Sequence, residues 1–197
     1  MIDEAIKIKP STKKVIIGLI SHSDISVDRL RHEINHIFCA LTWLYKLNSK
    51  PSLALELATA LHDCDRLFDK RRAHRKNFKN YIDYKKSHSK ISAKIAGEIL
   101  IAVGQKYLVN QVKDLIIAHE FGGTVLANKL KVCDSFAFFD QNLLDYYRDE
   151  GNRVTLEKME FMYQRLDIKS KKLLSASALD FRLVPTLNNY FLKIKNQ

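Results

Sequence analysis

The chain has 197 residues, enough for one domain with a sizeable core. Glycine and proline number only 6 and 3 while 46% of residues are apolar, which disfavours a strand-rich or disordered chain and favours helices. A formal charge of +11 points to a phosphate-bearing partner, from nucleotide to nucleic acid, or simply to a solubilising surface.

Residues 1–22 form an arm: a short acidic, amphipathic start, then Pro10, then the run Val15 to Ile20, expected as a helix on the core. That run is too short for a membrane span, and no other stretch approaches the roughly 20 apolar residues a span needs. Cys39, Cys64 and Cys133 are odd in number and lack a CxxC pair, which implies a reduced, cytoplasmic compartment. Ser23-Asp24 or Ser26 caps a long helix reaching Leu47. Ile34, Ile37, Leu41 and Leu44 form its core face, with His36 on the flank beside Ala40 and Trp43. Pro51 opens the next helix, Ser52 to Leu61, which carries Leu55, Ala58 and His62 on one face.

His62-Asp63 ends that helix, and a very basic loop with a helical turn or two follows from Asp65 to Asn80. Tyr81 to Val103 is strongly helical, with Tyr84, His88, Ile91, Ile95, Ile99 and Ala102 at three-to-four spacing. Gly104 stops it. Lys106 to His119 is a further helix, broken at Glu120-Phe-Gly-Gly123. From Thr124 a long helix sets Ala127, Leu130, Asp134, Ala137 and Phe138 on one stripe. An aspartate in such a stripe needs a charge partner or a metal. Gly151-Asn152 marks a turn, and two or three more helices follow, split near Asp167 and Pro185. The expected fold is all-α. It has three parts: the arm (1–22), a metal-binding helical core (23–140) and a C-terminal helical extension of the same globule (141–197).

Imidazole and carboxylate together suit a borderline divalent ion. His36, His62, Asp63, His88, His119 and Asp134 lie on separate helices, so only tertiary packing can join them. Each lone histidine has a plainer reading as a core residue bonded to a carbonyl.

The order His, His-Asp, Asp resembles the HD superfamily of metal-dependent phosphohydrolases, an all-helical fold. Arg31-His-Glu-Ile-Asn-His36 is similar to the family's first motif and Ala60-Leu-His-Asp63 to its defining doublet. Ser87-His88 through Ala96 and Ile116-Ile-Ala-His119 resemble two further histidine motifs, and Lys131-Val-Cys-Asp134-Ser135 the closing aspartate motif. Asp134 to Phe139, Asn142-Leu-Leu and Glu160-Phe-Met-Tyr-Gln-Arg165 resemble a little-characterised HD subgroup with a C-terminal helical extension. Where many relatives have an earlier acid in the last motif, this chain has Val132, which puts a second metal site in doubt.

The resemblance implies His36, His62, Asp63 and Asp134 as ligands of one divalent ion: manganese, iron, nickel, cobalt or magnesium. The ligand types argue against a structural zinc. It leaves His88 and His119 either to a second metal bridged by Asp63 or, the preferred reading, to phosphate binding and leaving-group protonation. Asp65 and Glu120 are candidate general bases or supporting carboxylates, or else solvent-exposed helix-end charges. Arg66 is the leading candidate for a phosphate clamp; Arg71, Arg72 and Arg75 are further ones, or a solvated face. His22, His32 and His74 read as surface residues. Trp43, Tyr81, Tyr84 and Phe121 either stack on a base or pack, packing being preferred. Phe136, Phe138 and Phe139 are expected at the seam with the extension. The implied activity is hydrolysis of a nucleotide or other small phosphoester. The alternatives are a non-catalytic HD-fold module that senses a nucleotide or binds nucleic acid, and a di-iron oxygenase of the same fold.

Overall fold

Nine α-helices and no strand are found in the computed structural model, which describes residues 7–196. The acidic start of the arm, residues 1–6, lies outside the described residues. Helix α1 (Pro10–Ser21) lays Val15, Ile16 and Leu19 on the core. It is tied down at its start. The buried Glu56 carboxylate accepts from the Lys9 backbone N–H at 2.7 Å, from the Lys9 ammonium and from the Tyr45 hydroxyl at 2.8 Å.

Helix α2 (Val27–Leu47) starts after Ser26 and buries Ile37, Leu41 and Leu44 together with His36, Ala40 and Trp43. Its buried face is therefore wider than the stripe read from Ile34 to Leu44, and Ile34 itself is only half buried. Helix α3 (Leu53–Leu61) is buried on every side, from Ala54 to Leu61. Its leucines, at about 1.5–3 kcal/mol each, make it the centre of the core. Pro51 precedes the cap residue Ser52, whose hydroxyl accepts from the Leu55 N–H at 3.3 Å.

Two short 3₁₀ turns, Cys64–Leu67 and Arg75–Asn77, punctuate the basic loop. Helix α4 (Tyr81–Ala102) buries His88, Ser92, Ile95, Ala96 and Ile99, a stripe that leaves Tyr84 and Ile91 half buried and Ala102 exposed. Helix α5 (Val109–Ala118) packs close against it at Gly97, where an added Cβ would stand 3.2 Å from the Lys113 side chain. Gly122, at φ +81°, turns the chain into α6 (Val125–Ala137); a Cβ there would collide with Asn128 Oδ1.

Helix α6 runs through one π turn, Phe138–Asn142, into α7 (Leu143–Gln164). Such turns rotate the side chains that follow, and this one carries Asn142 into the core. Gly151, at φ +75°, breaks α7 at the turn read from the sequence. Helices α8 (Ile168–Ala176) and α9 (Pro185–Lys195) complete the chain, α8 being capped by Asp167, which accepts from Ser170 N–H at 2.7 Å.

Two apolar clusters result. One lies among α1 to α6. The other joins Trp43, Val132, Phe136, Phe138 and Phe139 to Met159, Tyr163, Phe181 and Phe191 of the C-terminal helices. The phenylalanine seam is thus real, and Val132 belongs to it. Among the described residues no helix is long and apolar enough to cross a membrane.

Candidate metal centre

Five helices deliver polar side chains to one buried place between these clusters. Helix α2 brings His36, and the end of α3 brings His62 and Asp63. Helix α4 brings Lys85 and His88, the end of α5 brings His119 and Glu120, and α6 brings Asp134. Arg165, just past α7, reaches in from the extension. Two groups of potential ligands form, His36, His62, Asp63 and Asp134 in one, and Asp63, His88, His119 and Glu120 in the other.

In the first group the imidazoles are oriented from behind. His62 Nδ1 lies 2.9 Å from the Thr59 carbonyl, which can only accept, so Nδ1 carries the proton. His36 Nδ1 lies 2.6 Å from Asn142 Oδ1, while the Asn142 amide donates to His32 Nε2 at 2.9 Å. Both Nε2 lone pairs then face inward, 3.2 Å apart. Two facing lone pairs repel, so a proton or a metal ion belongs between them. Asp134 Oδ1 stands 3.5 and 3.4 Å from the two nitrogens, and Asp63 oxygens stand 3.8 Å from each. Donor atoms about 2.1 Å from a first-row ion lie roughly 3.0–3.4 Å apart, so small side-chain movements would close this set on a cation.

One oxygen of each carboxylate is already held. Arg66 donates to Asp63 Oδ2 at 2.8 Å, and Arg165 to Asp134 Oδ2. Burial raises the pKa of both acids, and this opposition is outweighed. Arg66, His62 and His88 hold Asp63 well below the carboxylate range, and Arg165 with the first-group histidines does the same for Asp134. Burial likewise opposes a charge on His62, but Asp63 and Asp134 raise its pKa.

The second group is built differently. His119 matches the first pair: its Nδ1 lies 2.6 Å from the Ile116 carbonyl, and its inward Nε2 has no hydrogen-bond partner. His88 does not. Its Nε2 is 2.8 Å from Asp63 Oδ1, and its Nδ1 is 2.9 Å from Asp65 Oδ1, off the ideal line for a hydrogen bond. Burial lowers its pKa, yet the Asp65 and Asp63 carboxylates push it up to about 10, so the ring is a cation at neutral pH. Glu120 has both oxygens engaged, Oε1 by the Lys85 ammonium and Oε2 by Arg165 at 2.9 Å.

Asp65 and Glu120 are therefore not helix-end charges in solvent; each is 1% exposed. Asp65 is a positioning group for His88, fixed by the Ser92 hydroxyl at 3.1 Å and the Ala73 N–H at 3.3 Å. His32 is also not a free surface residue, since it touches Asn142 and lies 3.4 Å from Asp145. His22 is exposed, and His74 is half buried. Trp43 packs on Phe136 and donates to Asp140 at 2.8 Å, whereas Phe121 is largely solvent-exposed. Val132 lies in the apolar seam with Trp43 and Phe136.

A cavity of about 1210 Å³ opens onto this centre. His36, Asp63, Asp65 and Asp134 line its inner end, with Arg66, Arg72, Arg75, Tyr81, Tyr84 and Lys85 on its walls. Arg71 instead pairs with Glu98 on the surface. Lys85, Asn142 and Arg165 were not foreseen as site residues. Asn142 and Arg165 both stand in segments that resemble the HD subgroup, but nothing in their spacing ties them to His36 or Asp134. Comparison of the chain with family models, curated proteins and solved structures finds no match.

Proposed function

We propose that this chain is a metal-dependent phosphohydrolase of the HD type, acting on a nucleotide or another small phosphoester in the cytoplasm. The observation that carries the reading is the pair of inward Nε2 atoms of His36 and His62, 3.2 Å apart, with Asp134 and Asp63 beside them. Outer partners that fix imidazole tautomers, here Thr59 and Asn142, are a regular feature of metal sites. A cavity above such a centre gives a substrate room to approach it.

A divalent ion held by His36, His62, Asp63 and Asp134 would supply an acidified water and polarise the phosphorus centre. The chain's own groups do the rest. Arg165 holds Asp134 Oδ2 and leaves Oδ1 facing the two imidazole nitrogens, while Arg66 fixes the Asp63 carboxylate through Oδ2. Arg66 lines the cavity, and its guanidinium suits a phosphate oxygen. His88, held between Asp63 and Asp65, positions the Asp63 carboxylate. His119, with its proton on Nδ1, accepts at Nε2; it donates to a phosphate only once protonated. Lys85 neutralises Glu120 and makes one ion per chain the favoured stoichiometry.

The test is metal analysis of the purified protein, then a phosphoester and nucleotide panel with manganese, iron, nickel, cobalt or magnesium. Turnover with at least one metal, abolished in Asp63→Ala, is expected. No turnover with any of them would overturn the reading.

A further inference from the structure

Eight lysines and arginines line the cavity, and six of them have a carboxylate oxygen within 4.0 Å. The two without one are Arg75, from the basic loop, and Lys158, from α7. Lys158 makes no hydrogen bond and no ion pair among the described residues. Its ammonium sits only over aromatic rings, 5.5 Å from the centre of Phe138 and 5.3 Å from that of Tyr146. The cavity wall also carries nine acids, so an excess of positive charge is not general there. It is local to these two cations.

Tyr81 joins them. The Arg75 guanidinium is 5.9 Å from its ring centre. Phe161, one turn along α7 from Lys158, packs edge-on against it at 5.3 Å. Burial raises the pKa of the Tyr81 hydroxyl, but Lys158 and Lys85 outweigh that and lower it. Burial also lowers the pKa of Lys158, with Lys85 and Arg66 adding to the effect and Tyr81 opposing it. Lys158 is half buried, and an unpaired cation partly withdrawn from water costs stability. A ligand anion is the partner that would offset that cost.

We propose that Lys158, Arg75 and Tyr81 form an anion subsite beside the metal ligands, and that the substrate carries a second phosphate or carboxylate besides the phosphoryl group at the metal. This deepens the phosphohydrolase reading and rests on it for the word substrate. The cavity volume of about 1210 Å³ exceeds what one phosphate needs. The C-terminal extension, which supplies Lys158, thereby becomes part of the specificity of the site.

The subsite is testable without turnover. The probe is pyrophosphate, titrated calorimetrically into the full chain in excess chelator, where the bare carboxylates of the metal centre repel anions. Binding is expected, weakened by about tenfold or more in Lys158→Met, the loss of one charge-assisted contact. Lys158→Arg should retain it, and Lys90→Met on the exposed face of α4 should not change it. Lys158→Met should melt no lower than the wild type, because it removes an uncompensated charge. Wild-type affinity in Lys158→Met, or no pyrophosphate binding by the metal-free chain, would overturn the subsite. Failure of every metal to support hydrolysis, with this binding intact, would instead remove the catalytic reading.

Discussion

The two ligand groups share Asp63 and differ in what balances their charge. In the first, arginines hold one oxygen of each carboxylate, and two imidazole lone pairs face each other across 3.2 Å. In the second, the Lys85 ammonium already meets Glu120, and His88 is an imidazolium clamped between Asp63 and Asp65. Fixed cations touch both groups, Arg66 and Arg165 in the first and Lys85 and Arg165 in the second; only in the first do two imidazole nitrogens face each other with no donor between them. Proximity of histidines and acids is common to both, so proximity alone does not define a metal site. What the remaining atoms of each ligand are doing separates them.

The most damaging change to this asymmetry is at the shared residue. Asp63→Ala should remove bound metal and lower turnover by about a thousandfold or more, since both charge and geometry at the reacting centre go with it. Metal analysis beside a kinetic assay checks both. Next is Arg165→Met, which leaves Asp134 and Glu120 buried without their shared cation. A loss of about 3 kcal/mol, or a melting temperature lower by about 6–12 °C, is expected in the metal-free protein. Added metal should recover part of it, because the ion replaces the missing charge on Asp134.

Asn142→Leu keeps the volume but frees His36 Nδ1. Metal affinity should fall by about 10–100-fold, with the fold intact. Lys85→Met should act in the opposite sense on the other group. With Glu120 Oε1 released, the second group gains a free ligand, and metal content should rise from one ion per chain towards two at saturating metal. The smallest effect concerns pH. His88 has a folded pKa near 10, above its unfolded value of about 6.5. Its contribution to metal-free stability is complete below the unfolded value and is lost as pH rises through 10. Denaturant melts at pH 7 and 10 should show a larger drop for wild type than for His88→Gln.

Much of this was legible in the sequence because the signals are local. Helix boundaries read near Ser52, Thr124 and Asp167 fall where those side chains cap the first turn, and Gly122 and Gly151 break helices where φ is positive, whereas Ser26 opens α2 without a side-chain cap bond. His62 and Asp134 stand on helical stripes that a 3.6-residue period projects inward, while His36 reads as a flank residue and is buried because the inner face of α2 is wider than its stripe. The neutralising partners were not legible. Arg165 reaches Asp134 and Glu120 across 31 and 45 residues, and Asn142 reaches His36 across 106 residues. Only packing of the extension, through the Phe136 to Phe191 seam, brings them in. For Asp65 and Glu120 the sequence leaves supporting carboxylate and solvent charge both open, and burial, a property of the neighbours, decides against the second. Val132, where the resemblance leads one to look for an acid, belongs instead to the apolar seam with Trp43 and Phe136, a placement that its sequence position does not show.

Anomalous diffraction at a metal edge, from crystals grown with manganese or cobalt, tests the asymmetry most directly. One strong peak is expected, bonded to His36 Nε2 and His62 Nε2 and to oxygens of Asp63 and Asp134. A peak among His88, His119 and Glu120 with the first group empty, or no peak at either, would contradict it.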